Sequence, residues 1–317
     1  MLRERGKGLR KERFYSICSR HAIPDKDCKL CNTGTWQNVA KGTAGNAVYK
    51  VWPGLLTNLE QATESANRVV EIHQRLSQWL RIGVKLPQID TFVRHQLADL
   101  DSKSCFRGYK AKGVKPVFPS YSCLSINDCI VHGTAGSYSE PIKEGDVLSI
   151  DIGVSYRGFI GDAAWTYIFG EPSETVSKLT SCAKDAILSG IYMMTPESPF
   201  KNWSQTVQQT VENAGFHCAE GLGGHGYGQK LHMDPFLPNM VTGTYLDDTK
   251  FKEGMLLAVE PMVCVGTGKV RHDKSGWPIY TADGSLAVHY EHDVYIDEDG
   301  PVVLTEGLNN INDLILK

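Results

Sequence analysis

Apolar and polar positions alternate most clearly between Val147 and Gly170, in the stretch VLSIDIGVSYRGFIGDAAWTYIFG. Leu148, Ile150, Ile152 and Val154 interleave with Val147, Ser149, Asp151 and Gly153, which predicts a strand with one face on a core and Asp151 on the other. After the polar break Tyr156-Arg157-Gly158, a second apolar and aromatic run from Phe159 to Phe169 predicts the returning strand of a hairpin. With Tyr156-Arg157 as a two-residue loop, Asp151 falls directly opposite Asp162, where like charges repel unless something positive lies between them. A bulge at Gly158 or Gly161 would slide that register. The two carboxylates would then be unrelated, one at a strand end and one in a turn.

Helical periodicity precedes this hairpin. Leu59, Ala62, Ala66, Val69, Val70 and Leu76 recur at helical spacing, with Thr57 and Glu60 as a capping box and Gly83 as the stop. A second helix follows Pro87 and carries Ile89, Phe92, Val93, Leu97 and Leu100 on one stripe. His73 and His95 lie on these helices and read as surface or core-edge residues without chemistry. The segment FPSYSCLSINDCIVHG, residues 118–133, predicts two short strands about a turn at Asn127-Asp128, ending in His132-Gly133. Beyond the hairpin, one helix starts near Ser173 with Val176, Leu179, Ala183, Ala186 and Ile187. Another carries Phe200, Trp203, Val207 and Val211 and ends near Gly215. Strand patterns return at 255–263, 286–296 and 301–305. Helices, strands, helices, strands is the order of an α+β protein with two similar halves.

Composition narrows the class. The 317 residues are 41% hydrophobic and 22% charged, as in ordinary globular proteins, and the net charge of −3 gives no global attraction to nucleic acid or an anionic membrane. No apolar run approaches the roughly 20 residues a spanning helix requires. The basic N-terminus lacks the apolar core of a signal peptide, and Glu4 and Glu12 argue against a mitochondrial address. Nine scattered cysteines suggest a reducing compartment, hence the cytosol. Residues 1–15 hold six Arg or Lys against two Glu and read as a solvated arm, or as a contact for an anionic partner such as ribosomal RNA. Cys18, His21, Cys28 and Cys31 then stand as C-x2-H-x6-C-x2-C. They could staple the segment with one structural zinc or remain unliganded thiols. Residues 33–56 read as a linker, so the chain divides into an extension, 1–56, and a main domain, 57–317.

Two further features join the aspartates. GLGGHGYGQKLHMDP, residues 221–235, presents His225 among five glycines, with His232 seven residues on. The stretch lacks the strand-to-helix glycine pattern of a phosphate loop. Glu260 in MLLAVEPM and Glu291 in LAVHYEHDVYI each sit within an otherwise apolar strand, where a carboxylate is costly unless paired with a cation. Asp151, Asp162, Glu260, Glu291 and His225 make an oxygen-rich donor set that suits two divalent ions such as Mn, Fe or Co.

The segments SCLSINDCIVHG, LSIDIGVSYRGFIGDAAWTY, GGHGYGQKLHMDP, AVEPM and HYEH, in this order and spacing, resemble the type I methionine aminopeptidases over residues 57–317. The resemblance implies the pita-bread fold of metallopeptidase family M24, two pseudo-symmetric halves around a curved antiparallel sheet. It implies Asp151, Asp162, His225, Glu260 and Glu291 as ligands of two divalent ions (Co, Mn, Fe or Zn), with Asp162 and Glu291 bridging. Water activated between the ions would attack the first peptide bond of a peptide or nascent-protein N-terminus. On the same resemblance Glu260 shuttles the proton, His132 contacts the substrate amide, and His232 stabilises charge on the carbonyl oxygen. Phe118, Cys123, Leu231 and Trp277 match the methionine pocket. The family generally carries Tyr near position 118 and an aromatic at 231, so Leu231 reshapes the pocket wall. The enzyme implied is a cytosolic monomer making at most transient ribosome contact, preferring a small second residue. Three rivals share parts of this pattern: a proline-directed pita-bread peptidase, a non-catalytic pita-bread binding protein, and a di-metal phosphoesterase.

Overall fold

The computed structural model describes residues 55–317 except Ser275. The predicted extension, including the arm and Cys18, His21, Cys28 and Cys31, lies outside the described residues apart from Leu55 and Leu56.

In chain order the elements begin with helices α1 (Leu55–Trp79) and α2 (Leu86–Asp99), then β1 (Lys103–Ser104), β2 (Cys123–Ile126), β3 (Cys129–Val131), β4 (Val147–Tyr156) and β5 (Phe159–Phe169). Next come α3 (Glu174–Ile191), α4 (Phe200–Asn213), β6 (His217–Cys218), β7 (Gly223–Gly226), β8 (Met233–Pro238) and the short α5 (Tyr245–Asp248). The chain closes with β9 (Leu256–Val259), β10 (Met262–Cys264), β11 (Val270–His272), β12 (Ile279–Thr281), β13 (Ala287–His289), β14 (His292–Asp297), β15 (Gly300–Val303) and β16 (Leu314–Ile315). Two helices followed by strands thus occur twice. Helix α1 starts two residues before the predicted Thr57 and ends at Trp79, short of Gly83, whose N–H instead donates to the Ile142 carbonyl. Helix α3 begins where the sequence indicates, with Ser173 Oγ accepting from the Val176 N–H.

β5, buried along its whole length, pairs with β4 on one side and with β16 in parallel on the other. β1 and β2 add to β4. A second five-stranded sheet has the order β15-β14-β9-β7-β8, while β13-β10-β6 and β11-β12-β3 form two three-stranded sheets. The apolar stripe of α1, including Ala62, Ala66, Val69, Ile72 and Leu76, is buried, and α1 packs on β5. Full burial of each of its large aliphatic side chains is worth about 1.5–3 kcal/mol. His73 is buried on this stripe rather than at its edge. Its ring nitrogens meet Tyr167 Oη at 3.0 Å and the Ala163 carbonyl at 3.3 Å, and burial lowers its pKa to about 4.

Two sequence expectations are corrected here. The hairpin turn is Arg157-Gly158, not Tyr156-Arg157. Both residues have positive φ, 48° and 86°, as a type I′ turn requires, and Tyr156 pairs with Phe159. The register is displaced by two residues, so Asp151 faces Ala164 and Asp162 faces Gly153. Because the displacement is an even number of residues, both aspartates stay on one face and become diagonal neighbours.

The other correction concerns the glutamates. The predicted strand at 255–263 is broken into β9 and β10 around Glu260-Pro261, and that at 286–296 into β13 and β14 around Tyr290-Glu291. The partners change sheets together, since Val259 pairs with His292 and Met262 with His289. Pro261 has no N–H for a ladder. The Glu291 N–H donates to the Ala164 carbonyl of β5, and the Glu260 carbonyl accepts from Asn239 Nδ2, both at 2.9 Å. The two glutamates therefore leave their ladders at the level where one half of the fold meets the aspartate hairpin of the other.

Candidate metal centre and substrate cavity

β4 supplies Asp151, β5 Asp162, β7 His225, and the two strand breaks supply Glu260 and Glu291. Presentation of His225 depends on the glycines beside it. β7 lies between β8 and β9, and a Cβ at Gly224 would collide with the Ala258 carbonyl oxygen. The glycine run here serves close strand packing rather than a ligand loop.

His225 Nε2 lies 3.9 Å from Asp162 Oδ2 and 3.7 Å from Glu260 Oε1. Its Nδ1–H donates to the Gly226 carbonyl at 3.0 Å, which leaves Nε2 as a lone pair aimed at the carboxylates. Two overlapping sets, Asp162-His225-Glu291 and Glu260-His289-Glu291, each bring their ligand atoms within 4.8 Å of one another.

Burial pushes the Asp151 carboxyl up to about 8, with the Glu260 charge adding to the shift. Asp162, Glu260 and Glu291 are also driven well above the usual carboxylate range, first by burial and then by one another. Desolvation holds His225 and His132 down at about 4, so both imidazoles are neutral at pH 7. Among the described residues no Lys or Arg forms an ion pair with the four carboxylates; their ion-pair partners are His225 and His289. Asp151 Oδ1 and Asp162 Oδ1 are buried without a hydrogen-bond partner. Buried carboxyl groups with no cationic neighbour, beside neutral imidazole nitrogens, are a donor set that fits divalent cations.

One cavity of about 280 Å³ is lined by all five of these residues and also by Phe118, Cys123, His132, Leu231, His232 and Trp277. The structure thus brings together every site residue named from the main domain. Phe118 meets Trp277 edge-on at 5.1 Å, and Trp277 Nε1 donates to the Pro116 carbonyl at 2.7 Å. His132 directly follows β3 with φ of 57°, a conformation costly for a non-glycine residue and concentrated at functional sites. His232 is exposed at the rim, its ring 4.3 Å from the His225 ring and tilted 53° to it, with Nδ1 hydrogen-bonded to Tyr109 Oη at 2.8 Å.

Several residues near the site were not singled out from sequence. Tyr109 joins the cavity wall. His289 faces Glu260, and Asp293 Oδ2 accepts the Asp162 main-chain N–H at 2.9 Å with the Tyr227 phenol beside it. The period-two rule carried a signal for two of them. Residues 289, 291 and 293 alternate in sequence and so share a face with Glu291.

The family model "Metallopeptidase family M24" matches residues 60–298. A methionine aminopeptidase from Aquifex aeolicus is 36% identical over 248 residues, which span 78% of this chain and 96% of that protein. Methionine aminopeptidase 1 from Bacillus subtilis is 34% identical, over 76% of this chain and 93% of its own length. The solved methionine aminopeptidase of Thermotoga maritima superimposes with a TM-score of 0.72 at 33% identity, covering 78% of this chain and 96% of that one.

Proposed function

The chain belongs to metallopeptidase family M24, and from that premise we propose that it is a di-metal aminopeptidase removing N-terminal methionine from nascent proteins whose second residue is small. The observation that carries this reading is the single cavity in which four carboxylates and His225 share walls with Phe118, Cys123, Leu231 and Trp277. Asp151, Asp162, His225, Glu260 and Glu291 would hold the two ions, with Asp162 and Glu291 reaching both; Co, Mn, Fe and Zn all suit such donors. When bound, the ions lower the pKa of a water and polarise the carbonyl of the first peptide bond. Glu260 accepts the proton of the attacking water and passes it to the leaving amine. His132 hydrogen-bonds the substrate amide. His232, oriented by Tyr109, steadies the charge that develops on the carbonyl oxygen. The methionine side chain enters among Phe118, Cys123, Leu231 and Trp277, where aromatic rings favour a thioether.

Residues 1–56 form, on this reading, a separate extension in which Cys18, His21, Cys28 and Cys31 bind one zinc and the basic arm makes at most a transient ribosome contact. No helix among the described residues is long and apolar enough to cross a membrane, and the reading is of a cytosolic monomer. Protein loaded with Mn or Co should release Met from a Met-Ala-Ser peptide. Two bound ions without release would refute the activity. Elemental analysis should find one more zinc in the full chain than after removal of residues 1–40, and equal zinc in both would refute the extension's site.

A further inference from the structure

Building on the dinuclear reading above, we propose that His289 is a positioning residue of the centre. Its Nε2–H holds the Glu260 oxygen turned away from His225 and so orients the proton-accepting carboxylate.

Glu260 lies between two imidazoles, one at each oxygen. His225 Nε2 is 3.7 Å from Oε1, and His289 Nε2 is 3.3 Å from Oε2 and 3.8 Å from Glu291 Oε2. The two rings differ in what they bring to those oxygens. His225 commits its ring proton to the Gly226 carbonyl and presents a bare nitrogen. His289 is buried; its Nε2 lies 3.3 Å from Glu260 Oε2 but is not aligned for a hydrogen bond to it, and it has no other hydrogen-bond partner. A nitrogen confronted by two carboxylate oxygens lowers the energy of the site by carrying its proton there.

The ring is also held where it can do this. The His289 N–H is shared between Ser149 Oγ and Thr166 Oγ1, at 3.1 and 3.2 Å, and its carbonyl accepts from Thr166 Oγ1 at 2.8 Å. Ser149 lies on β4 and Thr166 on β5, the strands that carry Asp151 and Asp162. His289 is therefore indexed to the aspartate hairpin, and through its ring it ties Glu260, from the other half of the fold, to the same frame. The remaining alternative is that His289 is itself a metal donor, since its Nε2 and oxygens of Glu260 and Glu291 lie within 4.8 Å of one another.

His289→Gln separates the two, because an amide keeps an N–H donor but is a poor ligand, whereas His289→Leu keeps neither. The full chain and both variants are loaded with Co(II). Metal affinity and stoichiometry are measured by calorimetry, the ligand field by the visible spectrum, and kcat and KM on Met-Ala-Ser, with thermal unfolding of the metal-free proteins as the folding control. In H289L, kcat should fall about 10- to 100-fold and metal affinity by a similar factor, with KM little changed. In H289Q both should recover to near the wild-type values, and the Co(II) spectrum should be unchanged. Should H289L not fold, His289→Met takes its place. An altered spectrum with H289Q as impaired as H289L would make His289 a ligand and overturn the proposal, as would full turnover in H289L. Wild-type protein that binds only one ion overturns the dinuclear reading and this role with it. Two bound ions with an unimpaired H289L overturn this role alone.

Discussion

Metal should leave this protein as the pH falls, and Asp151 sets the minimum steepness. Its carboxyl is pushed up to about 8 in the metal-free fold, so at pH 7 roughly ten molecules hold that proton for each that has lost it. A cation that needs the ionised form must displace the proton. Each unit below 8 then weakens binding about tenfold, or about 1.4 kcal/mol, from this one group. Asp162, Glu260 and Glu291 are shifted in the same direction, so more than one proton should leave on binding. The assay is calorimetric titration of Mn(II) into metal-free protein between about pH 6 and 8, in two buffers of different ionisation enthalpy. Log affinity should rise with pH with a slope above one, and the heat should depend on the buffer. Asp151→Asn should lower the slope by about one. An affinity constant across the range, with heats independent of buffer, would refute the reasoning. The metal-free fold should respond oppositely. Because the folded pKa exceeds the unfolded one, Asp151's contribution to stability is fully present below about 4 and is lost as pH rises through about 8.

Other perturbations test separate parts of the site. Asp162→Asn should disturb both metal sites and Asp151→Asn chiefly one, read by elemental analysis; equal losses would contradict the division. Gly224→Ala forces a Cβ against the Ala258 carbonyl oxygen. It should cost about 1–3 kcal/mol in denaturant unfolding and lower metal affinity by displacing His225, and a stable variant with unchanged affinity would count against that packing. Leu231→Ala should reduce kcat/KM for methionyl peptides by about tenfold or more, with norleucyl peptides losing a similar factor. His232→Ala should lower kcat by about 10²–10³ with KM little changed if it stabilises developing charge. A pure KM effect would assign it to ground-state binding.

The sequence alone indicated most of the elements and singled out the five proposed donors. Helical and period-two repeats are local properties, and an ionised side chain inside an apolar strand is an anomaly visible without coordinates. Tertiary structure decided how those donors meet. The hairpin register follows from positive φ at Arg157 and Gly158, a type I′ turn that the glycine favours but that the alternation of apolar residues alone does not pick out. The breaks at Glu260 and Glu291 depend on hydrogen bonds to Asn239 and Ala164, partners 21 and more than a hundred residues away in the chain. His73 looked like an edge residue because its partners, Tyr167 and Ala163, lie on another element. His289 and Asp293 shared a strand face with Glu291, but their approach to Glu260 and Asp162 exists only once β14 pairs with β9 and β13 with β10. Local periodicity fixes which side chains share a face; which faces confront one another, and hence where buried charges must be neutralised, is set by long-range pairing.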